Sequence, residues 1–413
     1  MKVQALHSPK RVKADYEGVY SWVRYHAGFS PRFVTSMISY LGLDHHSKIL
    51  DPFLGTGTTC LEAKRAGISS SGIELNGFAY FIARARLGWG FGNEELEEYL
   101  SDISSNVNGR RYQIVTPDFG QWFADGDPAP SEILSLGAGL KDIANRDLRD
   151  FLVAALALSV RAAPRVKAGS NPAWSQTGQP RRGPRPDFRR LFLQNARRML
   201  KDQLTVRTAK PARATVRRAD THTADYGEGI SAIISSPPYL SRLDYVMAHR
   251  IENDLLAALG YQSDPDLLRT KLVGGVVKNG RSAPKLKAEW GETCLRVLQS
   301  VKSHPSKGSL TYYYPLMANY FLDMFECMER FKEALATDGA LVLVAQSSYY
   351  KDIEVPLPKI LRTMAKRAGF AEARTIFRVD VTNVIGNMDP EQKAYVPQKT
   401  LHEDVILALP QRL

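Results

Sequence analysis

Cysteine is scarce in this chain, and long apolar runs are missing from it. The 413 residues include only three cysteines, Cys60, Cys294 and Cys327, and no Cys-x-x-Cys pair. This spacing argues against a zinc ribbon and against a disulfide framework, and it is typical of a reducing cytoplasm. No apolar stretch comes near the roughly 18 residues of a membrane-spanning helix. The first residues also lack the apolar core of a signal peptide, so we expect a cytoplasmic protein that does not associate with a membrane.

Acidic residues are nearly missing from one segment. Residues 161–218 hold 16 lysines and arginines but only two acidic residues, Asp187 and Asp202. The rest of the chain has 39 basic and 41 acidic residues, so this segment carries the whole positive excess. Such a block attracts polyanions, usually nucleic acid, although a solvated surface face is the alternative. The candidate nucleic-acid contacts in it are Arg165, Lys167, Arg181, Arg182 and Arg185.

Short apolar strands alternate with amphipathic helices along most of the chain. Strands are predicted at 48–53, 70–75, 214–220, 231–239, 339–348, 373–381 and 403–409, and helices at 30–43, 58–67, 147–163, 187–204 and 359–369. This alternation favours the α/β class, with a Rossmann-like, doubly wound parallel sheet. Residues 95–205 exceed what the connection between the second and third strands needs. They contain most of the basic segment, so we expect a basic, largely helical insertion.

A glycine turn follows the first strand. In KILDPFLGTGTT (48–59), Gly55 and Gly57 lie between a strand and a helix. Glycines let the backbone approach a ligand closely, and the start of the helix offers free N–H groups. Glu74 ends the next strand, where an acidic residue can accept both hydroxyls of a ribose. The pattern is neither GxGxxG nor a phosphate loop, but its order predicts a nucleotide-type site.

A second motif follows the apolar strand at 231–235. Its residues are Ser236, Pro237, Pro238 and Tyr239. Two consecutive prolines hold the backbone extended, and their carbonyls are expected to be free to accept hydrogen bonds from a ligand. The serine hydroxyl adds an acceptor, and the tyrosine ring adds a flat face for stacking. The motif therefore suits a planar group that carries an NH₂.

Together these segments resemble the S-adenosylmethionine-dependent amino methyltransferases of DNA. The DPFLGTGTT segment is similar to the FxGxG motif that binds the methionine part of the cofactor in that family. SPPY is similar to the [DSN]PP[YF] motif that holds the target amino group of a flipped base. YHAGFSPRFVTSMI (25–38) resembles the family segment that packs over the methionine end. The resemblance covers residues 45–75, 213–255 and 310–410.

The resemblance implies a site and a domain plan. It implies that the catalytic residues are Ser236, Pro237, Pro238 and Tyr239, and that S-adenosylmethionine is held by Phe29, Ser30, Pro31, Asp51, Pro52, Phe53, Gly55, Gly57, Thr58, Thr59, Glu74 and Asp220. The methyltransferase domain would comprise residues 1–95 with the cofactor motif and 211–413 with SPPY. Residues 96–210 would be the inserted region and the candidate DNA-recognition region, although recognition by 260–310 stays open.

The chemistry that follows is amino methylation of a base. The Ser236 hydroxyl and the Pro237 carbonyl would accept from the exocyclic amine and aim its lone pair at the sulfonium methyl. A base inside a duplex cannot reach such a site, so it must flip out. None of the three cysteines follows a proline, which disfavours methylation of cytosine at carbon 5. No His, Cys and Asp cluster suggests a metal.

Several alternatives stay open at this point. Serine at the head of SPPY leans in this family toward cytosine N4, whereas aspartate leans toward adenine N6. Methylation of an RNA base, or a nucleic-acid-binding protein with an inactive methyltransferase fold, would fit the same motifs. Double-stranded DNA is the expected partner, in the nucleoid of a bacterium or archaeon. The expected role is a restriction-modification or defence methylase; whether a cognate restriction endonuclease or defence protein exists is left open.

Overall fold

The computed structural model describes residues 6–25, 28–105, 116–165, 184–240, 244–274, 282–381 and 401–411. The strands are β1 (Lys48–Asp51), β2 (Ser69–Ile73), β3 (Ala214–Arg217), β4 (Ile230–Ser235), β5 (Leu335–Gln346), β6 (Ser348–Tyr350), β7 (Ile353–Val355), β8 (Glu372–Val381) and β9 (Leu401–Leu409). The helices before β3 are α1 (Pro31–Tyr40), α2 (Thr58–Arg65), α3 (Gly77–Leu87), α4 (Asn93–Ser105), α5 (Pro117–Gly120), α6 (Ala129–Gly139), α7 (Arg146–Ser159) and α8 (Phe188–Val206). The helices after β4 are α9 (Arg250–Ala258), α10 (Pro265–Lys271), α11 (Glu292–Ser303), α12 (Tyr314–Ala334) and α13 (Leu357–Arg367).

Seven of these strands form one sheet in the order β3-β2-β1-β4-β5-β9-β8. The first five strands in this order pair in parallel, and β9 runs antiparallel to both of its neighbours. The predicted Rossmann-like, doubly wound sheet is therefore confirmed, with one reversed strand near its edge. Within the described ranges, no helix is both long and apolar enough to cross a membrane.

The strand order reverses between β1 and β4. In sheets of this kind, ligands bind in the crevice outside the carboxyl ends of the strands where the order reverses. Asp51 ends β1 and Ser235 ends β4, and the Ser235 hydroxyl donates a hydrogen bond to the Asp51 carboxylate at 2.6 Å. The sheet therefore brings the glycine turn and SPPY, which are distant in sequence, to one crevice.

Helices cover both faces of the sheet, which explains why its central strands are almost continuously apolar. Along β4, Ile234 packs with the α1 residues Phe33 and Met37. The neighbouring Ile233 points to the opposite face, in the core formed with α11, α12 and α13. Each fully buried side chain of this size contributes roughly 1.5–3 kcal/mol to folding. The sheet is therefore a stable base for the loops at its carboxyl edge.

Five helices, α4 to α8, lie between α3 and β3 within the described residues. Their apolar faces share one core with α3, including Phe151 of α7 and Phe192 of α8. The predicted amphipathic helix at 187–204 is confirmed as α8, and Asp187 caps it by accepting from the Arg190 amide at 2.9 Å. The described part of residues 95–205 is thus largely helical, and it packs directly against the sheet domain.

Candidate active site

The turn between β1 and α2 depends on glycine at two positions. Gly55 and Gly57 have φ angles of +55° and +88°, a region that other residues adopt only with strain. A Cβ atom on Gly57 would lie 3.0 Å from the Cβ of Ala83 in α3. A Cβ on Gly55 would lie 3.0 Å from the ring of Tyr25. The turn is therefore tight, and it is held between α3 and the N-terminal segment.

Gly57→Ala should destabilise the protein more than Gly67→Ala. Gly67, just after α2, also has a positive φ of +74°, but a Cβ there would meet nothing within 4 Å. Both substitutions carry backbone strain of about 1–2 kcal/mol, and only the first adds a collision with α3. Urea unfolding would measure the two losses. Equal losses would contradict a packing role for Gly57.

Two buried carboxyl groups lie beside this turn. The Glu74 carboxylate accepts from the Gly55 amide at 2.8 Å and from the Asn76 amide at 2.7 Å. Burial raises the pKa of Glu74 to about 7, although these two amides act in the opposite direction. Burial likewise raises the pKa of Asp51 to about 6, against the hydrogen bond from Ser235. Glu74 is therefore fixed in orientation and lies close to its titration point at neutral pH.

One pocket lies over the carboxyl ends of β1, β2 and β4. Ten of the predicted residues line it: Phe29, Asp51, Pro52, Phe53, Gly55, Thr58, Glu74, Asp220, Ser236 and Pro238. The other predicted residues outside the basic segment do not line it: Ser30, Pro31, Gly57, Thr59, Pro237 and Tyr239. Thr59 supports the wall from behind, because its hydroxyl donates to the Ile234 carbonyl at 3.3 Å. The two sequence motifs thus share one cavity.

Sequence reasoning missed several residues of this pocket. Asn76, Thr221 and Lys271 also line it. Tyr25 and Tyr245 line it too; the first opens the recognised segment 25–38, and the second follows SPPY in a stretch for which the sequence left a base-pocket role open. Asn76 and Thr221 directly follow segments that were recognised, so adjacency could have indicated them. Lys271 ends α10, far from either motif, and no pattern around it marks a ligand site.

The SPPY segment is held by its neighbours. The Ser236 hydroxyl donates to the Val344 carbonyl of β5 at 3.3 Å. The Tyr320 hydroxyl donates to the Pro238 carbonyl at 2.9 Å, so the expectation that both proline carbonyls are free is wrong for Pro238. The Tyr239 hydroxyl donates to the Glu403 carboxylate at 2.8 Å. The segment therefore keeps one defined conformation at the edge of the pocket.

Arg11 lies directly behind the pocket wall. Its guanidinium donates to the Phe29 carbonyl at 3.1 Å and to the Thr58 hydroxyl at 3.3 Å. Its Nη1 atom is buried and has no hydrogen-bond partner among the described residues. Burial lowers the pKa of this guanidinium, which indicates a cation held partly out of water. Arg11 precedes both motifs in a common basic run, KRVK, so its sequence context did not single it out.

The basic segment is less free than its composition suggests. Arg185 pairs with Asp127 at 3.2 Å and with Glu132 at 2.7 Å. Arg165 donates to the Gln121 carbonyl at 3.0 Å. Lys167, Arg181 and Arg182 lie outside the described residues. The exposed basic side chains on α8 are Arg190, Arg197, Arg198 and Lys201; Arg197 is paired with Glu97 of α4. A basic face therefore remains on α8, with part of its charge neutralised.

Comparison with known proteins finds one short similarity. The chain is 48% identical over 59 residues to the Type II methyltransferase M.BsoBI of Geobacillus stearothermophilus. This match covers 14% of the chain and 12% of that protein. No protein-family model and no solved structure matches the chain. The chain is thus similar, over that stretch, to a Type II methyltransferase. The strand order is that of a Rossmann-like methyltransferase fold.

Proposed function

We propose that this chain is a DNA methyltransferase. It would transfer a methyl group from S-adenosylmethionine to the exocyclic amino group of a flipped base, cytosine N4 in double-stranded DNA. The observation that carries the proposal is the shared pocket, in which Ser236 and Pro238 face the same cavity as Gly55 and Glu74. A methyl donor on one wall and a target amine on the other would meet there. The short match to a Type II methyltransferase supports the same activity.

The lining residues suit each part of the cofactor. Glu74 would accept the ribose hydroxyls, and Asp220 would face the adenine. Phe29 would pack over the methionine end, with the Arg11 guanidinium behind it. When bound, S-adenosylmethionine supplies an electrophilic methyl group on a sulfonium. The protein side chains would hold that methyl group beside Ser236 and exclude water from it.

Ser236 favours an amine as the target. Because the Ser236 hydroxyl donates to the Val344 carbonyl, its oxygen presents acceptor lone pairs to a ligand. An exocyclic amine has hydrogens to donate, whereas a base carbonyl would be repelled there. Accepting from the amine would hold the nitrogen with its lone pair toward the methyl group. A base reaches this position only after flipping, at a cost of a few kcal/mol for unstacking.

The deciding experiment is nucleoside mass spectrometry after incubation with labelled cofactor and either duplex DNA or transfer RNA. We expect N4-methylcytosine from the DNA. Exclusively N6-methyladenine would overturn the choice of base and leave amino methylation of DNA standing. Label in RNA alone would overturn DNA as the substrate, and absence of label in both would support an inactive fold.

Arg11→Gln should weaken binding of S-adenosylmethionine about tenfold, the scale of one charge-assisted hydrogen bond. A partly desolvated cation directly behind the methionine end would attract the methionine carboxylate. Binding of 5′-methylthioadenosine, which lacks that carboxylate, should stay unchanged. Calorimetry with both ligands tests this pair. An equal loss for both would show that Arg11 only supports the wall.

DNA binding should depend steeply on salt. Replacing Arg190, Arg198 and Lys201 with alanine should reduce the slope of log affinity against log salt by about 0.9 for each phosphate contact removed. Arg181 and Arg182 are expected to behave in the same way. Arg185→Gln is the matched control, because the Arg185 side chain already forms ion pairs with Asp127 and Glu132. An unchanged slope in the α8 triple variant would show that this face does not contact DNA.

A further inference from the structure

Glu403, near the start of β9, is a buried carboxyl group that the proposed chemistry has not used. Glu403 is only 9% exposed. Its Oε1 atom accepts from the Tyr239 hydroxyl at 2.8 Å. Its Oε2 atom is buried and has no hydrogen-bond partner among the described residues. A buried carboxylate oxygen without a partner costs free energy, so proteins rarely keep one without a role.

The sheet places this carboxyl group beside SPPY. Glu403 is opposite Gln346 in the antiparallel pair of β9 and β5. Two residues earlier in β5, the Val344 carbonyl accepts the Ser236 hydroxyl. Tyr239 connects the two positions, because its hydroxyl contacts Glu403 and lies near the Ser236 hydroxyl. Ser236, Tyr239 and Glu403 therefore form one polar group at the carboxyl edge of the sheet.

Amino methylation needs a charge that Ser236 does not have. As the methyl group moves, positive charge passes from the sulfonium sulfur to the target nitrogen, and that nitrogen must then lose a proton. A fixed negative charge nearby stabilises this change. Asp51 is already bonded to Ser235, and both oxygens of Glu74 accept backbone amides. Of these carboxyl groups, only Glu403 combines contact with SPPY and an unpartnered oxygen.

We propose that Glu403 is the carboxylate of the base site, which stabilises the positive charge on the target nitrogen and takes up its proton through the Tyr239 hydroxyl. The inference rests on the proposed function. The nitrogen lone pair forms the N–C bond while the C–S bond breaks and its electrons stay on sulfur. The nitrogen proton passes to the Tyr239 oxygen, which lies beside the pocket-lining Ser236 hydroxyl, and the tyrosine proton passes to Glu403. The products are the methylated amine, the neutral thioether and a protonated Glu403.

The surroundings of Glu403 set the direction of the pH dependence. Burial raises its pKa, while the hydrogen bond from Tyr239 and the charge of Lys10 lower it. On its own strand, His402 pairs with Asp380 and Asp404 pairs with Arg378. Only the ionised carboxylate can accept a proton. Turnover at saturating cofactor should therefore rise with pH as Glu403 ionises.

The test is single-turnover methylation of duplex DNA at saturating S-adenosylmethionine across the pH range. Glu403→Gln should lower the rate about 10²-fold at high pH, remove the acidic limb of the profile and leave cofactor affinity unchanged. Tyr239→Phe keeps the ring but removes both the proton path and a hydrogen bond that favours ionised Glu403, so it should lower the rate and move the remaining acidic limb to higher pH. Glu354→Gln, at an exposed residue of β7, is the matched control and should match the wild type.

Two results would overturn the inference. One is a Glu403→Gln rate that equals the wild-type rate at every pH. The other is a uniform loss that keeps the acidic limb, which would indicate a structural role only. If Glu403→Gln does not fold, a Tyr239→Phe variant with the wild-type rate and an unmoved acidic limb would overturn the inference as well. Absence of methyl transfer by the wild-type protein would instead overturn the proposed function.

Discussion

Ser236→Ala should lower the turnover of methyl transfer about 10²-fold, the scale of losing one positioned hydrogen bond in a catalytic site. The Ser236 hydroxyl donates to the Val344 carbonyl and so presents acceptor lone pairs to a target amine. Alanine would leave the amine without this acceptor, and its lone pair would stay delocalised into the base. Rates with saturating DNA and cofactor would measure the loss.

Ser231→Ala is the matched control on the same strand. The Ser231 hydroxyl accepts from the Lys48 amide at 3.0 Å, at the opposite end of β4. Its removal should affect stability slightly and turnover not at all. A Ser236→Ala enzyme as fast as the wild type would remove the serine from the reaction. If Ser236→Ala weakened cofactor binding and left turnover unchanged, Ser236 would be assigned to cofactor binding.

Glu74→Ala should weaken binding of S-adenosylmethionine by about 1–3 kcal/mol, the scale of lost charge-assisted hydrogen bonds. The Gly55 and Asn76 amides already fix the Glu74 carboxylate on the pocket wall. It can therefore accept ribose hydroxyls without first being ordered. Isothermal calorimetry would measure the change, and unchanged affinity would remove Glu74 from the site.

The raised pKa of Glu74 gives this prediction a pH signature. Burial raises that pKa from an ordinary 4.5 to about 7, so the carboxylate forms between about pH 6 and 8. Cofactor affinity should rise over this range in the wild type and stay flat in Glu74→Gln. Folding stability should change in the opposite direction. The neutral form favours the folded state, so this contribution is present at low pH and is lost as the pH rises through about 7.

Local signals determined much of the fold and several residues that line the candidate pocket. The strand, the positive-φ glycines and the helix at residues 48–65 are specified by neighbouring residues, so they were predictable from their order. The same holds for α8, because its apolar period and the Asp187 cap lie within one segment. The alternation of strands and helices was sufficient for the doubly wound sheet. These features need only short-range information.

Only the tertiary structure decided which polar groups already have a hydrogen-bond or ion-pair partner and which buried atoms lack one. Arg185 looked like a free cation in a basic segment, but α6 presents Glu132 to it from 53 residues away. The Pro238 carbonyl looked free, but it accepts from Tyr320 of α12. Arg11 and Glu403 were not singled out, because their neighbours in sequence reveal neither their burial nor their unpartnered atoms. Such contacts join residues from distant segments and follow no local period, so packing alone fixes them.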